Sequence, residues 1–184
     1  MVLCTFSPAR AWRPAVVARL ARTLGITITP FLPARPHMDD PIPKLKTPDE
    51  CAIFAKNATD RGRTDMALRA KKRAIELRAA SYGAKTDVER ECVEAVFAYE
   101  ETLMIKNGRR QSASRTWPML EKYGIIGAVE RVVSRKDAAL GYTALVELGL
   151  EEYAFESVIL RHPGVFSSEA VKRSRERMPG NSDA

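Results

Sequence analysis

Two four-residue segments fix where helices must begin in this chain and thereby restrict what it can fold into. Thr47-Pro48-Asp49-Glu50 places a hydroxyl at the N-cap, a proline at the first helical position and a glutamate at the third, and Thr86-Asp87-Val88-Glu89 repeats the hydroxyl and the glutamate at the same spacing. In such a box the threonine oxygen accepts from the third helical N–H while the glutamate accepts from the threonine N–H, so two otherwise orphaned donors are satisfied together. Glycines supply the matching stops. The spacing predicts a helix over 48–60 ended by Gly62, a second capped by Thr64 and running through Tyr82 to Gly83, and a third over 87–106 ended by Asn107-Gly108. Along the third, Val88, Cys92, Ala95, Val96, Tyr99 and Leu103 recur at steps of three and four, the stripe of a core-facing helix.

The second half of the chain reads as shorter elements of the same kind. A helix starts at Ser114 or Thr116, carries Pro118 in its first turn and ends at Gly124; another covers 125–134, where the β-branched residues would suit a strand but the spacing of Ile125, Ile126, Val129, Val132 and Val133 favours helix. Segments 137–148, 150–161 and 168–178 follow, separated by Gly149 and by His162-Pro163-Gly164. No alternating stretch bounded by hairpin turns competes with this reading. The expected fold class is therefore all-α, a compact bundle of about seven to eight short helices built from helical hairpins.

The pair of helices over 48–82 is about as long as one tetratricopeptide unit. With Gly62 at the turn, Ala67 and Ala74 fall where the two helices of such a hairpin touch, so this segment resembles that unit. The large consensus aromatics and the closing proline are missing, and a second copy aligned on Gly108 would place Leu120 where a small residue belongs. One hairpin cannot build a stacked array, which needs about three repeats.

The N-terminal segment differs in composition. Eight of the 11 prolines lie in the first 48 residues, and residues 1–37 hold five arginines (Arg10, Arg13, Arg19, Arg22 and Arg35) with no lysine and no acid. Only 13–24 has helical periodicity there. The reading is a Pro/Arg-rich flexible leader over 1–45, an extension ahead of a start at Met38, a helical domain over 46–178 and a disordered tail over 179–184. An Arg-rich, acid-free amphipathic leader also has the composition of an organelle transit peptide, which is the alternative to a cytoplasmic location. No apolar run approaches the length of a membrane span, so no membrane partner is expected.

The same arithmetic bears on function. The formal net charge is +7, from 30 Lys and Arg against 23 Asp and Glu; removing the leader's five arginines leaves 25 against 23. The overall charge therefore says little about nucleic acid, and local clusters must carry any such reading. Two exist. Between Lys56 and Arg78, eight basic residues, among them Arg69, Lys72 and Arg73, face three acids. The second is the loop over 106–115, where Lys106, Arg109, Arg110 and Arg115 alternate with Gln111, Ser112 and Ser114, the mixture of guanidinium, hydroxyl, amide and loop backbone that contacts phosphates. The helix, Gly124, helix segment that follows has the outline of a helix-turn-helix with Arg131 and Arg135 on its second arm. Against this stands the third helix, with six acids and one arginine over 87–101, which would neutralise the basic helix if the two pack antiparallel and would leave the loop as the better phosphate contact.

Catalytic signatures are missing: no phosphate-binding glycine loop, zinc-protease, serine-hydrolase or calcium-loop pattern occurs, so an enzyme is not the expected class, and no cofactor or metal is expected. His37 and His162 are the two histidines, and His162, before Pro163-Gly164, suits a helix C-terminus where an imidazole meets the last carbonyls. Cys4, Cys51 and Cys92 are far apart and outside any ligand pattern; Cys51 and Cys92 fall on apolar stripes and read as small core residues in a reducing compartment. The glutamates at 89, 91, 94, 100 and 101 lack Glu-x-x-His pairs and read as a solvated or salt-bridging face.

The leading expectation is a non-enzymatic helical accessory module that binds nucleic acid through Arg109, Arg110, Ser112 and Arg115, with Arg69, Lys72 and Arg73 of the neighbouring basic helix. The alternative is a helical protein-interaction or assembly adaptor, without a nucleic-acid role, whose partner sits in an apolar groove near Trp117, Tyr123, Tyr142 and Phe155.

Overall fold

The two capping boxes form as written. In the computed structural model, which describes residues 40–135 and 138–178, α1 (Pro48–Asp60) begins with Thr47 Oγ1 accepting from Glu50 N at 3.2 Å and Glu50 Oε2 accepting from Thr47 N at 3.2 Å. The third helix, α3 (Asp87–Asn107), repeats this with Thr86 and Glu89 at 3.1 and 3.3 Å. Each glutamate takes a further bond from the residue before the cap, Lys46 N and Lys85 N, at 2.8 Å in both cases. Between them lies α2 (Thr64–Tyr82), closed by Gly83 in the left-handed region at φ 86°, as Gly108 closes α3 at φ 67°.

Seven α-helices and two 3-10 turns, with no strand, make the described residues all-α. The remaining helices are α4 (Thr116–Val133), α5 (Ala138–Glu147), α6 (Phe155–Arg161) and α7 (Ser168–Arg177), with 3-10 turns at Ile42–Lys44 and Glu151–Tyr153. Gly124, at φ 72° and ψ 166°, interrupts α4, so its two arms are the two short helices expected around that glycine. The expected leader helix over 13–24 and the tail over 179–184 lie outside the described residues. Residues 40–45, assigned to the leader by sequence, lie within them: Ile42 is buried with Ala55, Ala58, Met66, Ala67 and Ala70.

Alanines let the α1–α2 hairpin close tightly. Ala67 and Ala74, the small positions that resemble a tetratricopeptide hairpin, are both buried. Helix α3 packs against α2 on one side and against α4, α5 and α6 on the other. Its burial exceeds the expected stripe for that reason: Cys92, Ala95 and Val96 are buried as the periodicity requires, and so are Val93 and Ala98, because neighbours surround more of the helix than one face. Cys51 and Cys92 are both fully buried free thiols. Burial pushes the Cys92 thiol up to about 12, which makes it inert as a nucleophile.

Three expectations need correction. Thr64 does not cap α2; it is the first helical residue, and Arg63 occupies the cap without a side-chain bond, since Arg63 N already turns back to Ala58 O at 2.8 Å. The single helix expected over 150–161 is broken at Ala154, whose extended backbone (φ −63°, ψ 146°) separates the 3-10 turn from α6. That step leaves Leu150, Ala154, Val158 and Ile159 all fully buried, and Ser157 Oγ donates to the carbonyl of Glu151 across the break at 2.6 Å. Finally, the His162 ring does not meet helix carbonyls. It lies 3.1 Å from Glu91, which also accepts two bonds from Arg161 at 3.0 and 2.7 Å.

Candidate nucleic-acid interface

The loop between α3 and α4 is held from behind. One oxygen of Glu100, on α3, accepts from Ala113 N at 2.8 Å and from the indole Nε1 of Trp117 at 2.7 Å. Ala113 is buried, and Trp117 packs against Tyr82 and Phe97 with ring centroids 5.2 and 5.1 Å away. Asn107 donates to Gln111 at 2.6 Å across the first turn of the loop. A buried alanine and an anchored tryptophan thus fix the loop's path, and the residues around the alanine face solvent: Arg109, Arg110 and Ser112 before it and Ser114 and Arg115 after it are all exposed.

Their charges are largely uncompensated. Arg110 reaches Asp49 only at 3.8 Å, with side chains 68% and 87% exposed, a contact worth roughly 0–1 kcal/mol. Arg109 and Arg115 have no acid partner among the described residues. The basic helix differs at every position in question. Arg69 pairs with Asp40, Lys72 with Glu152 at 2.6 Å and Arg73 with Glu76 at 3.0 Å. Further along α2, the half-buried Arg78 is tied to the buried Glu101 of α3 at 2.9 Å, which is the cross-helix neutralisation that the opposite charges of the two helices imply. The structure therefore gathers Arg109, Arg110, Ser112 and Arg115 on one loop and engages Arg69, Lys72 and Arg73 elsewhere.

Arg131 of the second arm of α4 lies over the ring of Tyr123 on the first, 4.0 Å from its centroid, and Arg135 reaches the Met119 sulfur at 3.2 Å. Arg173 and Arg177 of α7 donate to the carbonyls of Ser134 and Arg135, closing the C-terminal end of α4.

Behind the loop lies a cavity of about 420 Å³, walled by α3, α5, α6 and the end of α4. Of the four aromatics considered for an adaptor groove, Tyr142 and Phe155 line it and Trp117 and Tyr123 do not. Sequence reasoning missed this cavity and missed Glu100, whose position among five glutamates of one helix gave no sign of its role as the loop's anchor. No group of three or more His, Cys, Asp or Glu among the described residues is arranged to hold a metal ion, and no described helix is long and apolar enough to cross a membrane. Comparison with family models, with curated proteins and with solved structures finds no match to this chain.

Proposed function

We propose that this protein is a non-enzymatic accessory module that binds nucleic acid through the loop carrying Arg109, Arg110, Ser112 and Arg115, with the basic helix α2 serving the fold more than the contact. The observation that carries the reading is the contrast in ion pairing: the loop's guanidinium groups face water with at most one weak acid contact, while Arg69, Lys72, Arg73 and Arg78 each hold a carboxylate. Phosphates recruit cations that are exposed, preorganised and unpaired, and an arginine must surrender its carboxylate before it can take a phosphate. The Glu100 anchor adds preorganisation, since a fixed loop loses less entropy on binding than a mobile one. The two buried free thiols fit a reducing compartment and, with it, a cytoplasmic location.

The test compares two triple variants in a full-length background whose leader arginines (Arg10, Arg13, Arg19, Arg22 and Arg35) are replaced with Gln, so that a basic tail cannot bind the polyanion by itself. Arg109→Ala with Arg110→Ala and Arg115→Ala is expected to weaken binding to a mixed-sequence oligonucleotide by about tenfold or more, while Arg69→Ala with Lys72→Ala and Arg73→Ala changes it by about twofold or less. Equal affinity of the parent and the loop variant overturns the proposal and leaves the adaptor as the better account.

A further inference from the structure

The loop is also one wall of the cavity, and the cavity's chemistry is more specific than that of a phosphate-binding surface. Its floor is apolar and aromatic, from Tyr99, Leu103, Tyr142 and Phe155, while Ser114, Arg115 and Arg135 supply polar and cationic groups. Its volume, about 420 Å³, falls within the roughly 300–1,000 Å³ of small-molecule sites. The one carboxylate lining it among the described residues, Glu156, is buried and paired with Arg177 at 3.1 Å. The charge left over is that of Arg115 and Arg135, neither of which has an acid partner among the described residues. Gln111 accepts from Asn107 through its carbonyl oxygen, which leaves its amide N–H groups to donate to an occupant.

A floor of this kind beneath two arginines suits a ligand that is flat and weakly polar at one end and anionic at the other. We infer that the cavity holds one nucleoside phosphate unit, with the base against the aromatic floor and the phosphate on Arg115 and Arg135, an assignment that rests on the reading of the loop as a phosphate-contacting surface. A base stacked in a duplex cannot enter, so the unit comes either from an unpaired stretch of a strand or from a free nucleotide.

Gly141 on α5 gives the means of testing this without touching a charge. It lines the cavity, and a Cβ added there would meet Tyr99 Cε2 at 3.9 Å, an ordinary contact. Gly141→Ala therefore fits, whereas Gly141→Leu carries bulk into the cavity, and both raise helix propensity. The full chain, with the five leader arginines replaced by Gln as above, is titrated with a labelled single strand of about 12 nucleotides and with the same strand made of abasic sites. In a second arm it is titrated calorimetrically with free nucleoside monophosphates.

The base-bearing strand should bind about tenfold more tightly than the abasic one; Gly141→Leu should erase that ratio and Gly141→Ala keep it, with the salt dependence unchanged in both. Binding of free monophosphates that Gly141→Leu abolishes identifies the free nucleotide as the occupant, and base-dependent strand binding without it identifies the strand. Equal binding of base-bearing and abasic strands with no binding of free nucleotides overturns the cavity assignment and leaves the loop reading standing. Free-nucleotide binding lost in Gly141→Leu, in a chain that shows no salt-dependent strand binding, overturns the loop reading and leaves the cavity as a mononucleotide site. If Gly141→Leu melts unlike the parent, Arg135→Glu decides: it should weaken whichever arm binds, and an unchanged affinity overturns the proposal.

Discussion

Glu100 accepts two hydrogen bonds through a single oxygen, and its donors are a buried backbone N–H and an indole packed between two aromatic rings. Replacing it with Ala leaves both donors without their acceptor in a partly buried site, at a cost of about 1–3 kcal/mol. Chemical denaturation of Glu100→Ala should show that loss together with a change in tryptophan fluorescence; unchanged stability would mean that the loop is held by packing alone. Burial likewise separates the ion pairs. Lys56–Asp60, with side chains 76% and 59% exposed, contributes roughly 0–1 kcal/mol. Arg78–Glu101, at 15% and 5%, is a pair whose disruption strands a carboxylate, so Arg78→Met should cost about 3 kcal/mol where Lys56→Met costs almost nothing, as thermal melts would register. At Cys92, Ser substitution puts a hydroxyl among Val129, Val133, Val158 and Ile159 and should destabilise by about 1–3 kcal/mol. The same thiol should stay unreactive toward disulfide reagents until the protein unfolds, and rapid modification of the native protein would contradict its burial.

At the scale of elements, helix starts and stops were legible wherever a local rule decides them. Thr47-Glu50 and Thr86-Glu89 needed only their own backbone to form, and Gly83 and Gly108 only a left-handed φ. What could not be read depends on tertiary contacts. The break at Ala154 exists because an extended residue keeps Leu150, Ala154 and Val158 all directed inward, a requirement set by neighbours far along the chain. His162 meets Glu91 across 71 positions of sequence, and no local pattern announces that encounter. The basic loop was visible as composition, but the cavity behind it arises from four helices and has no linear signature. The Glu91 cluster carries a pH dependence whose sign follows from its partners. Partial burial raises the Glu91 carboxyl, yet the hydrogen bonds and charges of Arg161 and His162 together outweigh it and hold the group below its ordinary value of 4.5. A depressed carboxylate stabilises the fold above its unfolded pKa, and that contribution is lost as pH falls through the folded value. Glu91→Gln should therefore be less stable than the parent near neutrality, and the gap should narrow on acidification below about pH 4.5. A gap that widened in acid would contradict the arrangement.

For the whole molecule, net charge is a poor guide and the placement of unpaired charge a better one. The chain's excess of 7 positive charges includes five in the first 37 residues, and much of the remainder is engaged: α2 holds Asp40, Glu152, Glu76 and Glu101, while α7 holds Glu169 and Glu156. The loop's arginines are the cations best placed to release counterions on meeting a phosphate backbone, and each lost contact removes about one released ion from the salt dependence. The direct measurement is the slope of log affinity against log salt for a mixed-sequence oligonucleotide, taken with the leader arginines replaced so that only the folded part reports. Removing Arg109, Arg110 and Arg115 together should make that slope shallower by about two to three while the melting temperature holds. A slope unchanged by their removal, or no salt-sensitive binding by the parent at about 100 mM salt, would contradict the proposed interface.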